Sequence, residues 1–401
     1  MTKLSASFYS RNRQNLQNAV GAKGPIVIPA AGLLQKSADT TYQFRQDSNF
    51  WYLTGVDDAD IVLVIDAEET YLILPPRNEI QVLFDGVVER TELTKNSGIV
   101  SIYDATEGWK KLKSAAKRAG SVASVGAPPV YVQVYGFYTN PARTRLISRL
   151  KRAVRGLVVH DIRPELARLR AIKQKPEIEL LNQVVDVTLD TLDELAVRLP
   201  SMRYEYEAAA FVTHEFHRQG YEHGYEPIVA SGGNACTVHY IANNSPIDAS
   251  SYLLLDVGAQ ASYYTADITR VLHPGRPSRR QYDVLAAVKD VQSYAMSLLR
   301  PGVTLGGYEE QVEEYMGKKL IELGLIEAVD RKSVRQYFPY LTSHFLGVDV
   351  HDVGDRQAPL EAGMTLTVEP GIHIPEEGIA VRLEDDVVIT KNGIDVLGSK
   401  R

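Results

Sequence analysis

A single cysteine, Cys236, stands in a chain of 401 residues. One thiol excludes an internal disulfide, and its scarcity suits a reducing compartment. No run approaches the roughly 20 apolar residues that a membrane-spanning helix needs. The opening residues, Met1-Thr2-Lys3-Leu4-Ser5, lack an apolar export segment. These absences predict a cytoplasmic protein without a membrane partner. An excess of basic charge is missing too. Forty-four Lys and Arg face 50 Asp and Glu, for a net charge of -6; that balance gives no footprint for nucleic acid. The first 170 residues contain no Gly-x-Gly-x-x-Gly turn after a strand, so no dinucleotide site is expected there. What remains is an ordinary globular composition, 44% hydrophobic and 23% charged, with a length that predicts two or three domains.

Residues 1–170 alternate short helical and strand patterns. Residues 7–20 read as a helix. Ile26-Val27-Ile28-Pro29, Asp60 to Asp66, Tyr71 to Leu74 and Leu157-Val158-Val159 read as strands. Thr106 is the expected N-cap of a helix ending near Gly120, and Asn140-Pro141 reads as an N-cap with proline at the first helical position. The alternation predicts an α/β N-terminal domain. The aromatic stretch Tyr42 to Gly55 reads either as an element packing on its own core or as one turning Arg45, Asp47 and Trp51 toward another domain or subunit. Between 141 and 175, 11 basic residues accompany 2 acids, which reads as a solvated helix surface.

Lys175-Pro176-Glu177 opens a strong helical pattern, with proline in the first turn, and the domain boundary is expected near 170. Beyond it the sequence repeats weakly. A helix over 177–199 is followed by a Pro-containing turn, a second helix and Gly220. A helix over 281–300 is followed by Pro301, a second helix and Gly324. Each copy then reaches strand-like sequence with a histidine, His239 or His344. The repeat predicts a pseudo-twofold fold with its site where the halves meet.

Four acids lie in apolar, strand-like sequence: Asp256 in Leu253 to Gly258, Asp267 before Ile268, Glu369 after Val368 and Glu384 after Leu383. Asp256 and Asp267 flank a turn that can fold as a hairpin. Taken singly, each reads as surface. Together with His344, four crowded carboxylates would repel one another, and two divalent cations would cancel their charge. Oxygen-rich ligands with one histidine suit Mn²⁺, and permit Co²⁺ or Zn²⁺. Paired cations of this kind serve hydrolysis.

The motifs Leu255-Asp256-Val257-Gly258, Asp267-Ile268-Thr269-Arg270, Ser343-His344-Phe345 through Gly354, Val368-Glu369-Pro370-Gly371 and Arg382-Leu383-Glu384-Asp385-Asp386 resemble the pita-bread metallopeptidase family. Over its full length the chain is most similar to the aminopeptidase P branch, with prolidase close behind. The resemblance implies an N-terminal α/β domain over 1–170 and an α+β pita-bread catalytic domain over 171–401, with an internal pseudo-twofold. It implies a dinuclear site in which Asp256 chelates one ion, Asp267 and Glu384 bridge both, and His344 and Glu369 hold the second. Glu369 would also act as general base. His239 and His351 match the family's histidines for substrate binding and proton handling, and Arg382 its arginine near the substrate. The substrates implied are proline-containing peptides, cut after an N-terminal residue, and a homo-oligomer, dimer or tetramer, is expected, since relatives often build the site mouth across subunits. One departure stands out. Many relatives carry His-Gly shortly before Ser-His, whereas this chain reads Tyr340-Leu341-Thr342-Ser343-His344. Tyr340 in the substrate pocket then either takes over a hydrogen bond or walls the pocket. An Xaa-Pro dipeptidase is the alternative activity, and a catalytically silent peptide-binding protein of the same fold is the alternative class.

Overall fold

Runs of β-branched residues form the centre of the N-terminal unit. Strands β1 (Ile26–Pro29), β2 (Val62–Ile65), β3 (Thr70–Ile73), β4 (Ser101–Tyr103), β5 (Ser121–Ser124) and β6 (Val158–Asp161) pair in the order β4-β3-β2-β1-β5-β6. The β1/β2 and β2/β3 pairs are antiparallel and the others parallel. β1 and β2 are buried along their whole length because both sheet faces are covered. Ile26 and Ile28 face a core with Phe8, Leu16 and Phe50. Val27 faces the opposite core, with Leu112, Leu146 and Leu150. The first core holds helices α1 (Ala6–Val20) and α2 (Ser48–Thr54); the second holds α3 (Ala105–Ala119) and α4 (Ala142–Ala153).

The computed structural model describes residues 4–21, 23–126 and 135–398, and the chain divides into two compact units, Lys3–Leu169 and Arg170–Arg401. Among the described residues, no helix is long and apolar enough to cross a membrane.

Several local expectations shift. Asp104, not Thr106, caps α3, accepting from the Glu107 N–H at 2.9 Å. Pro141 occupies the N-cap of α4 and Asn140 stands one residue earlier, accepting from the Ala142 N–H at 3.2 Å. In the aromatic stretch, Trp51 is buried within its own unit, at 9% exposure, with its ring 6.0 Å from that of Tyr9. Asp47 caps α2 and pairs with Arg143 at 2.6 Å. Trp51 thus packs, and Asp47 pairs, within this unit, while Arg45 is exposed.

In the second unit, α5 (Lys175–Arg198) pairs with α6 (Glu205–Arg218), and α7 (Arg279–Leu298) with α8 (Leu305–Glu322). These are the repeated helix pairs. Strands β7 (Ile228–Ser231), β8 (Leu253–Val257) and β9 (Ile268–Leu272) form one antiparallel sheet in that order. Strands β10 (Thr365–Val368), β11 (Gly371–Ile374), β12 (Ile379–Arg382), β13 (Asp385–Ile389) and β14 (Ile394–Val396) form two more, β10-β13-β14 and β11-β12. A core including Val288, Tyr308, Val312, Leu366 and Val381 joins α7 and α8 to these strands.

Candidate metal centre

The register of the strands delivers the acids. Asp256 lies in β8 opposite Thr269 of β9, and Asp267 directly precedes β9. Between them Ala259–Ala261 and Tyr264–Thr265 close a hairpin. Its turn holds Ser262 and Tyr263 at φ 48° and 64°, the left-handed pair that a two-residue hairpin turn requires. Gly258 is required at its base, because a Cβ there would stand 1.9 Å from the Ala266 carbonyl oxygen.

Glu369 and Glu384 both sit in breaks rather than within strands. Val368 pairs with Asp385 and Gly371 pairs with Arg382. The two-residue interruptions 369–370 and 383–384 therefore face each other, where the chain passes from one sheet to the next. Their backbones bond elsewhere: Glu369 N to Thr342 O at 2.8 Å, Glu384 N to Thr269 O at 3.1 Å. Leaving the ladder frees both side chains from strand alternation. His344 is likewise not on a strand. It is held beside β10, its N–H donating to Thr367 Oγ1 at 3.2 Å and its carbonyl accepting from Thr367 N at 3.0 Å.

The five side chains converge. Donor atoms of Asp267, His344 and Glu384 lie within 4.8 Å of one another. His344 Nε2 is 3.4 Å from Asp267 Oδ2 and 3.3 Å from Glu369 Oε1. Asp256 joins through Tyr225, whose hydroxyl is 2.6 Å from Asp256 Oδ1 and 2.7 Å from Asp267 Oδ1. Arg382 donates to the other Asp256 oxygen and to Thr269 Oγ1 at 2.9 Å. The Thr269 hydroxyl in turn donates to Glu384 Oε2 at 2.6 Å. Arg382 and Glu384 thus share a side, 4.0 Å apart.

Burial dominates the electrostatics. It pushes Glu369 up to about 8 and Asp256 up to about 6, the latter against the pull of Arg382. Glu384 rises through burial and the nearby Asp267 and Glu369 charges. Asp267 is also buried, yet its bonds to His344 and Tyr225 hold it below the usual carboxylate range. Burial would lower His344, but Asp267 and Glu369 together lift it to about 9.

This donor set fits a divalent cation. The Phe345 carbonyl accepts from His344 Nδ1 at 3.0 Å, which puts that ring's proton on Nδ1 in the neutral form and leaves the Nε2 lone pair facing two carboxylates. Such an arrangement needs a positive charge between its members, a proton or a metal. Glu384 Oε1 is also buried with no hydrogen-bond partner among the described residues, a costly state for a carboxylate oxygen without a cation.

The histidines read as substrate groups stand at the edge. His351 lies in a bend and is exposed as a whole residue, but its ring sits 4.3 Å from that of His344; desolvation of the ring there, with the His344 charge, lowers it to about 4. His239 is exposed, and is not in strand-like structure. It follows a 3-10 turn, Gly232–Cys236, and desolvation with the Arg382 charge lowers it. Sequence reading missed Tyr225, Thr269, Asp386 and His373. Tyr225 touches both aspartates from a separate segment, and its one trace in the motifs is Gly258, whose absent Cβ leaves the ring room at 2.9 Å. Asp386 accepts from the Asp267 N–H at 3.0 Å and stands in the Glu384-Asp385-Asp386 motif without having been given a task.

Residues 179–391 match metallopeptidase family M24, and residues 9–123 match the aminopeptidase P N-terminal domain. A Haemophilus influenzae protein named Xaa-Pro aminopeptidase is 32% identical, across 99% of this chain and 95% of its own length. Human Xaa-Pro aminopeptidase 3 is 30% identical across 96% of this chain and 80% of its own. Among solved structures, Escherichia coli aminopeptidase P in its low-pH form superimposes with TM-score 0.86 at 28% identity, covering 99% of this chain and 96% of that one. Proline aminopeptidase P II from Yersinia pestis gives TM-score 0.84 at 28% identity, with 99% and 97% covered.

Proposed function

The chain belongs to metallopeptidase family M24, and from that premise we propose that it is a metal-dependent Xaa-Pro aminopeptidase, hydrolysing the bond between an N-terminal residue and a following proline. Curated relatives of that name match over nearly the full chain, both domains included. The observation that carries the metal assignment is the His344 Nε2 atom wedged between two carboxylates.

Asp256, Asp267, His344, Glu369 and Glu384 would hold two divalent ions, with Mn²⁺ the best match to an oxygen-rich set. Bound ions would polarise the scissile carbonyl and acidify the attacking water. The chain's own groups do the rest. Glu369 takes the water proton on its carboxylate. His239 and His351, at the exposed edge, bind and orient the peptide and hold protons near the departing amine. Arg382 neutralises Asp256 and, through Thr269, keeps Glu384 aimed inward. Tyr340 walls the pocket. We further assign residues 171–401 as the catalytic domain, and place the enzyme in the cytoplasm as a homo-oligomer.

Initial rates on matched Xaa-Pro-Xaa and Xaa-Pro peptides, with defined Mn²⁺, Co²⁺ or Zn²⁺, test the reading. Cleavage of the longer peptide is expected, with close to two ions per chain by elemental analysis. Cleavage of Xaa-Pro alone would make it a dipeptidase. Inertness toward both with metal bound would overturn the proposal. Glu369→Ala is expected to lower kcat by about 10²–10⁴-fold while circular dichroism stays unchanged; an active variant would remove Glu369 as the base.

A further inference from the structure

Tyr340 stands four residues before His344, and β11 brings an imidazole to it. His373 Nε2 is 3.1 Å from the Tyr340 hydroxyl, with the rings edge to face at 5.5 Å. His373 Nδ1 is 3.1 Å from the Ala235 carbonyl oxygen. A carbonyl only accepts, so the Nδ1 position carries the proton. Nε2 is then an acceptor, and the Tyr340 proton points at it. The phenol oxygen keeps its lone pairs; the Arg382 guanidinium lies over the Tyr340 ring, 5.8 Å from its centre, and interacts with the hydroxyl.

The local backbone is arranged around this contact. Gly371 and His373 share one face of β11, since side chains alternate, and Gly371 is the cross-strand partner of Arg382. A Cβ at 371 would lie 2.1 Å from the Tyr340 hydroxyl and 3.2 Å from His373 Nε2. The glycine of the Glu369-Pro370-Gly371 motif is therefore the gap through which the phenol reaches between His373 and Arg382. From the far side, Arg335 donates to the Tyr340 carbonyl and pairs with Glu313 at 2.5 Å. His373 itself is 3% exposed, so its two hydrogen bonds are shielded from water. Each ends on a segment that leads to the site: Ala235 is four residues before His239, and Tyr340 four before His344.

We propose that His373 is a positioning residue of this active site, fixing from β11 the Tyr340 oxygen as a hydrogen-bond acceptor toward Arg382 and the bound peptide. The inference rests on the Xaa-Pro aminopeptidase reading, and wild-type turnover of an Xaa-Pro-Xaa peptide tests that reading separately.

A double-mutant cycle tests the coupling. Tyr340→Phe removes one oxygen and leaves the ring. His373→Leu removes both hydrogen bonds, and His373→Gln offers one donor and one acceptor again. With Mn²⁺ saturating, Tyr340→Phe and His373→Leu should each raise KM about tenfold, with kcat within about threefold and metal content unchanged. The double variant should be no worse than the poorer single one, and His373→Gln should recover most of the loss. Additive losses, an unchanged KM in Tyr340→Phe, or no recovery with Gln would overturn the proposal. Histidine ¹⁵N spectra read the same coupling without turnover. The Nδ1–H tautomer is expected for His373, with its Nε2 resonance shifting in Tyr340→Phe; an Nε2–H tautomer refutes it. Tyr340→Phe keeps the ring's packing, so its KM and the histidine spectra decide the proposal even if His373→Leu does not fold.

Discussion

Burial sets the character of the individual histidines. His373 is enclosed, and burial with the Arg382 charge lowers it to about 4. Its unfolded value lies near 6.5, so between pH 6.5 and 4 the unfolded chain binds the extra proton. Stability therefore falls as pH drops through 6.5, and this contribution is complete at neutral pH. His373→Gln removes it. The stability gap between wild type and His373→Gln should narrow by about 2 kcal/mol from pH 7.5 to pH 5, measured by urea denaturation of both proteins at each pH. A constant gap would mean that His373 is not held neutral. Gly258 makes a second residue-scale case. A methyl group there must displace the Ala266 carbonyl, parting the strands that carry Asp256 and Asp267. Overpacking of this kind costs roughly 1–3 kcal/mol, and if it falls on the bound geometry, Gly258→Ala weakens Mn²⁺ binding about 10- to 100-fold by calorimetric titration.

At the scale of elements, the loop 344–354 depends on a buried ionic group. Arg170 donates to Asp349 at 2.7 Å and to Asp352 at 2.5 Å, and Lys173 to Asp352 at 3.1 Å. The loop closes on itself through Asp352 N to Phe345 O at 2.8 Å, and it carries both His344 and His351. The basic stretch 141–175 reads as a solvated face, but Arg170 and Lys173 are 2% and 5% exposed. Their carboxylate partners lie some 180 residues away, and so no local pattern reveals them. Removing one partner from a buried pair costs roughly 3–5 kcal/mol. Lys173→Met should therefore lower the melting temperature clearly, and Asp352→Leu, which takes a carboxylate partner from both Arg170 and Lys173, should lower it further. Calorimetry of the two variants checks this; an Asp352→Leu variant more stable than Lys173→Met would contradict it.

For the whole molecule, the cation site belongs to one unit. All five candidate ligands lie within Arg170–Arg401, and Lys3–Leu169 has sheet cores of its own. Metal that binds only the folded state stabilises by about 2.7 kcal/mol at a hundredfold excess over Kd. Chelation should accordingly lower the unfolding temperature of residues 170–401 and leave that of an isolated 3–169 fragment unchanged. A metal-dependent shift in the fragment, followed by differential scanning calorimetry, would contradict that division.

The sequence by itself determined the parts that are local or periodic. Helical spacing marks α5 to α8, continuous β-branched runs mark β1 and β2, and five short motifs bring together the acids and His344 in order. Those signals are legible because 3.6- and 2-residue periods are written within ten or twenty positions. Tertiary structure alone decided the contacts across a hundred residues or more: Arg382 on Asp256, Arg170 and Lys173 on Asp352, His373 on Ala235. It also moved Glu369 and Glu384 out of their strands, because each backbone found its hydrogen bond on another segment. A side chain's partners depend on which backbones cross, and that is fixed only when the sheets pack.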